Sequence, residues 1–92
     1  MAATDFIHTR ELLSSGDTVV VQITHQCNVR LMDDTNFQKY QNGFKYDSVG
    51  GFFKTAPIKI KVPHYGYWNI AIDLNGKKAT GIKYSISYQK QP

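Results

Sequence analysis

Along most of the chain from Thr18 onward, apolar and polar residues alternate with a period of two. Gly16-Asp17 reads as a turn, and Thr18 to Thr24 then sets Val19, Val21 and Ile23 on one face of a strand. Asn28 to Met32 predicts a second strand, with Val29 and Leu31 on one side and Arg30 and Met32 on the other. Ile58, Ile60 and Val62 alternate with Lys59 and Lys61 between Pro57 and Pro63, whose missing N–H groups mark the ends of a half-buried strand. Trp68, Ile70, Ile72 and Leu74 alternate with Asn69, Ala71 and Asp73, and Asn75-Gly76 follows as a turn signal. Ile82, Tyr84, Ile86 and Tyr88 alternate with Lys83, Ser85, Ser87 and Gln89.

Five strands separated by turn residues, with no amphipathic helix beyond a turn or two, predict an all-β fold: a single-domain antiparallel β-sandwich, jelly-roll-like, over residues 1–92. Two segments stay open at this level. Phe6 to Leu13 fits an opening strand or one helical turn, and Thr35 to Tyr40 fits a short helix with Asp34 or Thr35 as its N-cap. A chain of 92 residues holds one core, which excludes an enzyme built around a separate cofactor domain.

Charge and cysteine usage narrow the setting. The single Cys27 excludes an intramolecular disulfide. Met1 to Asp5 has no basic segment followed by an apolar run, and no stretch approaches a membrane span, so a cytoplasmic protein with no membrane partner is expected. The net charge of +4 is uneven: residues 1–50 sum to −2 and residues 51–92 to +6. A basic half attracts phosphate, which makes nucleic-acid binding through Lys54, Lys59, Lys61, Lys77, Lys78 and Lys83 one reading. Lysines that solvate strand faces and blunt sheet edges account for the same residues.

Candidate chemistry concentrates between residues 25 and 53. In Thr24-His25-Gln26-Cys27-Asn28 an extended chain sets His25 and Cys27 on the same side, and a neighbouring imidazolium would favour a Cys27 thiolate. The competing reading makes Cys27 a buried small hydrophobe, with His25 and Asn28 bonding a bend. His8, His25, His64 and Cys27 match no zinc spacing, and Asp33-Asp34-Thr35-Asn36 lacks the pattern of a calcium loop while fitting a helix cap. No metal or other cofactor is therefore expected. Phe37, Tyr40, Phe44, Tyr46, Phe52 and Phe53, interleaved with Asn42-Gly43 and Gly50-Gly51, form either a stacking platform or a plug for the end of the sandwich. Trp68, after His64-Tyr65-Gly66-Tyr67, belongs by its alternation to the core.

Phe6-Ile7-His8-Thr9-Arg10-Glu11, Gly16-Asp17-Thr18-Val19-Val20-Val21, His25-Gln26-Cys27-Asn28-Val29-Arg30, Met32-Asp33-Asp34 and Trp68-Asn69 together resemble a small bacterial family of short all-β proteins, catalogued as a domain of unknown function. The resemblance runs from Phe6 to about Tyr88, and His-Gln-Cys-Asn-Val is its most specific part. It implies a β-sandwich in a bacterial intracellular setting, in some proteins appended beside a TIR signalling domain, and it implies no activity. More loosely, the strand signals are similar to those of jelly-roll carbohydrate-binding domains.

These readings converge on a non-enzymatic recognition module for a small ligand or a protein partner. Its expected site comprises His25, Cys27, Asn28, Asp33, Asp34, Asn36, Tyr40 and Tyr46, with His25 and Asn28 as hydrogen-bonding groups and Tyr40 or Tyr46 as a stacking face. A small thiol enzyme using Cys27 with His25 is the alternative of another class. A sheet edge also leaves room for a homodimer.

Overall fold

A computed structural model of the chain describes residues 6–74 and 82–91. Seven strands and one helix follow one another: β1 Ile7–Leu13, β2 Thr18–Ile23, β3 Cys27–Met32, α1 Asp34–Gln41, β4 Val49–Phe53, β5 Ile58–Lys61, β6 Gly66–Asp73 and β7 Tyr84–Gln89. They form two antiparallel sheets, one ordered β1-β6-β3-β4 and the other β5-β2-β7. The expected sandwich is present. The open segment at the start is a strand, because its partner β6 binds it over seven pairs from Ile7↔Ile72 to Leu13↔Gly66. The expected turn at Asn75-Gly76, and Lys77 and Lys78 after it, lie outside the described residues.

Alternation places one side chain in two between the sheets. Val19 and Val21 of β2, Val29 and Leu31 of β3, Ile58 and Ile60 of β5, and Trp68, Ile70 and Ile72 of β6 form one buried cluster. Each such side chain contributes about 1.5–3 kcal/mol by leaving water. The prolines act as the sequence predicts, since Pro57 and Pro63 flank β5, an edge strand. At the β1–β2 turn, Gly16 takes φ +87° and donates its N–H to the Val62 carbonyl, while buried Asp17 accepts the backbone N–H groups of Ser14 and Gln91.

Strand β4 has no counterpart among the strands that the alternation predicts. Val49–Phe53 contains Gly50-Gly51, which weakens any strand pattern. Gly50 sits at φ +113°, where a Cβ would run into the Val29 carbonyl oxygen, so the missing side chain is what lets β4 approach β3. The expected aromatic connection is thus helix, turn and strand.

Helix α1 lies on the outer face of the four-stranded sheet. Its N-cap is Asp33 rather than the expected Asp34 or Thr35, because Asp33 is extended and its carboxylate accepts the Asn36 N–H at 2.8 Å. Its C-terminus closes on Gly43 at φ +79°, with Gly43 and Phe44 donating to the Tyr40 and Lys39 carbonyls. Phe37 and Tyr40 point down onto Met32 and Ala71, with Phe6 and Tyr46 beside them, in a second buried cluster. Ala71 is the small residue that gives the helix room. No helix among the described residues is long and apolar enough to cross a membrane.

Candidate functional site

The eight residues expected to share a site fall into four places. Cys27 is fully buried in the inter-sheet core. His25 lies exposed on the β2–β3 turn, where its Nδ1 is 2.8 Å from the Thr24 hydroxyl. The two do not form a catalytic pair. Burial, and then the charge of Asp73, push the Cys27 thiol up rather than down. Alkylation of the native protein by iodoacetamide is accordingly expected to be slow at neutral pH, to be unaffected by His25→Ala, and to become fast only in denaturant. Rapid native labelling that depends on His25 would restore the thiol-enzyme reading.

Asn28, Asp34, Tyr40 and Tyr46 lie on the outer face of the four-stranded sheet, in a polar network under α1. Asn28 Nδ2 donates to Asp73 Oδ1 at 2.9 Å, while Arg30 and the Tyr40 hydroxyl donate to Asp73 Oδ2 at 2.7 and 2.8 Å. Burial and the Asp73 carboxylate raise the Tyr40 phenol well above its ordinary pKa, so it stays a donor. Tyr46 meets Tyr40 edge-on at 5.1 Å. Tyr40 is only 5% exposed, so it anchors the helix and offers no stacking face to a ligand.

The network continues toward β1. Asn69, 1% exposed, gives its amide protons to Asp34 Oδ1 and the Met32 carbonyl, leaving its Oδ1 to accept from His8 Nε2 at 2.9 Å. Arg10 grips Asp34 through Nε and a second guanidinium nitrogen at 3.0 and 2.7 Å, and lies 3.9 Å above the Tyr67 ring. The Arg10 and Asn69 hydrogen bonds hold the Asp34 carboxyl down at about 2. His8 stacks on Phe37 at 4.0 Å. Among the described residues no buried side-chain polar atom lacks a partner. These groups are occupied with one another, and their combined effect is to fasten α1.

Asp33 and Asn36 stand elsewhere, at the mouth of a cleft of about 240 Å³ at one end of the sandwich. Its floor is Leu31, Met32 and Trp68, and its rim is Asp33, Asn36, Asp47, Ser48 and His64. The floor is fixed: Trp68 is 4% exposed, donates its indole N–H to the His64 carbonyl at 3.0 Å, and packs against the His64 ring at 4.9 Å. One side of the rim is fixed as well, since Asn36 donates to Asp33 Oδ1 and accepts the Asp47 N–H. Among the described residues the lining carries two carboxylates, a hydroxyl, an amide and an imidazole, but no Lys or Arg.

Asp47, Ser48 and His64 lie in connections with no periodicity to assign them to one end, so the sequence pattern does not single them out. Asp73, Arg30, His8 and Asn69 carried a faint signal, since Asn69, Ala71 and Asp73 face away from the core and a small residue between two polar ones suits a packed element. Of the lysines named for nucleic acid, the four among the described residues do not line this cleft. Lys59 and Lys61 lie on β5, across from Val20 and Thr18 of β2, and Lys54 and Lys83 are exposed outside the strands.

Fold and site together define a small antiparallel β-sandwich domain with one helix laid across a sheet and a polar-rimmed cleft at one end. The chain belongs to the family described as a domain of unknown function (DUF1883), which it matches over residues 4–92. Comparison with curated proteins and with solved structures returns no match.

Proposed function

We propose that the domain is a non-enzymatic recognition module whose small-ligand site is the cleft between Asp33, Asn36, Asp47, Ser48, His64 and Trp68. The observation that carries this reading is a preformed concavity with an apolar floor and a few converging polar groups, the usual build of a ligand site. At about 240 Å³ it lies below the range for drug-sized ligands and suits a single small ring or a short chain. Its charge selects against anions despite the chain's net +4, because Asp33 and Asp47 line it without a cation. A hydroxyl-rich or cationic ligand fits. Recognition is favoured over catalysis because the His64 ring bonds the Tyr65 carbonyl and no hydrogen bond joins it to Ser48. We extend the proposal to a cytoplasmic, bacterial setting on the strength of the free Cys27 and the family resemblance.

An amide NMR titration against neutral monosaccharides, arginine and ethanolamine, with AMP as the anionic control, tests it. Shifts are expected at Asp33, Asn36, Asp47 to Val49 and His64 with a neutral or cationic compound, and Asp47→Ala is expected to weaken them. Response to AMP alone, or no response at the cleft across the panel, would refute the assignment.

A further inference from the structure

Three aspartates hold a cation of this chain: Asp17 meets Lys90, Asp34 meets Arg10 and Asp73 meets Arg30. The two that line the cleft, Asp33 and Asp47, have no such partner among the described residues. Their oxygens are differently committed. Asp33 Oδ1 accepts the Asn36 backbone N–H and one Asn36 amide proton, at 2.8 and 3.0 Å, which leaves Oδ2 for a ligand. Asp47 is held through its backbone, whose N–H goes to Asn36 Oδ1 at 2.9 Å. Its position is therefore set, while no hydrogen bond among the described residues takes up either carboxylate oxygen.

His64 adds a further acceptor. Its Nδ1 lies 3.2 Å from the Tyr65 carbonyl, which can only accept, so the proton of the neutral ring sits on Nδ1. Nε2 then carries a lone pair. Side-chain donors on the lining are few by comparison: the Ser48 hydroxyl and the second Asn36 amide proton. A sugar hydroxyl, which calls for donors as well as acceptors, is served on one side only. A ligand that brings donors alone is served fully.

Beside these acceptors lies the apolar floor of Leu31, Met32 and Trp68, and it decides between cations. An ammonium is a compact, strongly hydrated point charge, and over such a floor it loses water without replacement. A guanidinium carries its donors in one plane, around its edge. Its two faces are weakly hydrated and lie well on apolar and aromatic surface.

We infer that the cleft binds a guanidinium group, with Asp47 as a two-pronged acceptor, Asp33 Oδ2 or His64 Nε2 taking a further N–H, and the apolar floor under the planar face. The fork of two parallel N–H···O bonds to Asp47 is the part an ammonium cannot copy. The inference rests on the small-ligand reading of this cleft and narrows it to one cationic group.

The test titrates the intact protein with ethylguanidinium, ethylammonium and N-ethylurea, followed by amide NMR. The urea keeps the planar shape without the charge, and the ammonium keeps the charge without the fork. At about 0.1 M salt, charges more than about 10 Å apart are screened, so unspecific attraction of any cation is small. Ethylguanidinium is expected to shift Asp33, Asn36, Asp47, Ser48 and His64. It should bind about threefold or more tighter than ethylammonium, with the urea weaker than either. Asp47→Asn keeps the backbone N–H that Asn36 accepts, and should weaken ethylguanidinium about fivefold or more. Glu11→Gln removes an exposed carboxylate outside the cleft and should change nothing. A blocked Gly-Arg-Gly peptide separates the two sources of the group: tighter binding than ethylguanidinium assigns it to an arginine side chain of a protein, weaker binding to a free small guanidine. Equal binding of ethylguanidinium and ethylammonium, or an Asp47→Asn variant that binds like the parent, would overturn the inference. Shifts at the cleft with a neutral monosaccharide but not with ethylguanidinium would overturn it and leave the small-ligand reading standing. No shift at the cleft with any of these compounds would remove both.

Discussion

Replacing Asp73 by alanine is expected to destabilise the domain by about 3 kcal/mol, and to do so through the helix. Its carboxylate accepts from Asn28, Arg30 and Tyr40, three donors on two elements, and its side chain is only 14% exposed. Removing it leaves the Arg30 guanidinium, 21% exposed, without its counter-charge, and the Tyr40 hydroxyl without its acceptor. Breaking a buried pair this way costs about 3–5 kcal/mol, and the residual solvent contact places this case near the low end. For a domain of this size the loss corresponds to more than about 10 °C in Tm. Tyr40→Phe removes one hydrogen bond and keeps the ring, so about 1 kcal/mol is expected. Thermal denaturation measures both, and amide exchange within Asp34–Gln41 should rise more in Asp73→Ala than exchange in β2. A loss below about 0.5 kcal/mol would show that the network under α1 contributes little.

Trp68→Ala is the second large effect, expected to cost about 3–5 kcal/mol. The indole belongs to the inter-sheet core, bonds the His64 carbonyl and floors the cleft, so its removal opens a cavity and releases one wall of the proposed site together. Trp68→Phe separates the two roles. It keeps most of the apolar volume but loses the N–H bond that positions His64, so a smaller loss in Tm is expected alongside a changed His64 environment in NMR. An alanine variant within about 1 kcal/mol of the parent would mean that the site collapses around the vacancy.

Much of the fold can be read from residue order alone, and the reason is local. Strands with one buried face write their alternation directly, as Ile58-Lys59-Ile60-Lys61 and Trp68 to Asp73 do. Val49 to Phe53 does not, because Gly50 is selected for the approach of the Val29 carbonyl and contributes no side chain to a pattern. An extended chain would set Cys27 and His25 on one side, but the strand begins at Cys27 and turns its thiol into the core, while His25 stays on the turn. The site was least legible because it depends on contacts between distant residues: Asn36 with Asp47 across the cleft rim, and Trp68 with His64 beneath it. No spacing along the chain encodes which loops share an end.

The pairing of β1 with β6 has a consequence for how the domain is made. Ile7 finds its partner only at Ile72, so the first strand cannot dock until most of the described chain exists. At about 5–20 residues per second of synthesis, that wait is roughly 3–13 s. During it β1 is an orphan, and Arg10 and Glu11 at its centre keep an otherwise sticky segment hydrated. The same two side chains later take up separate duties, one clasping Asp34 and the other lining a groove beside β7.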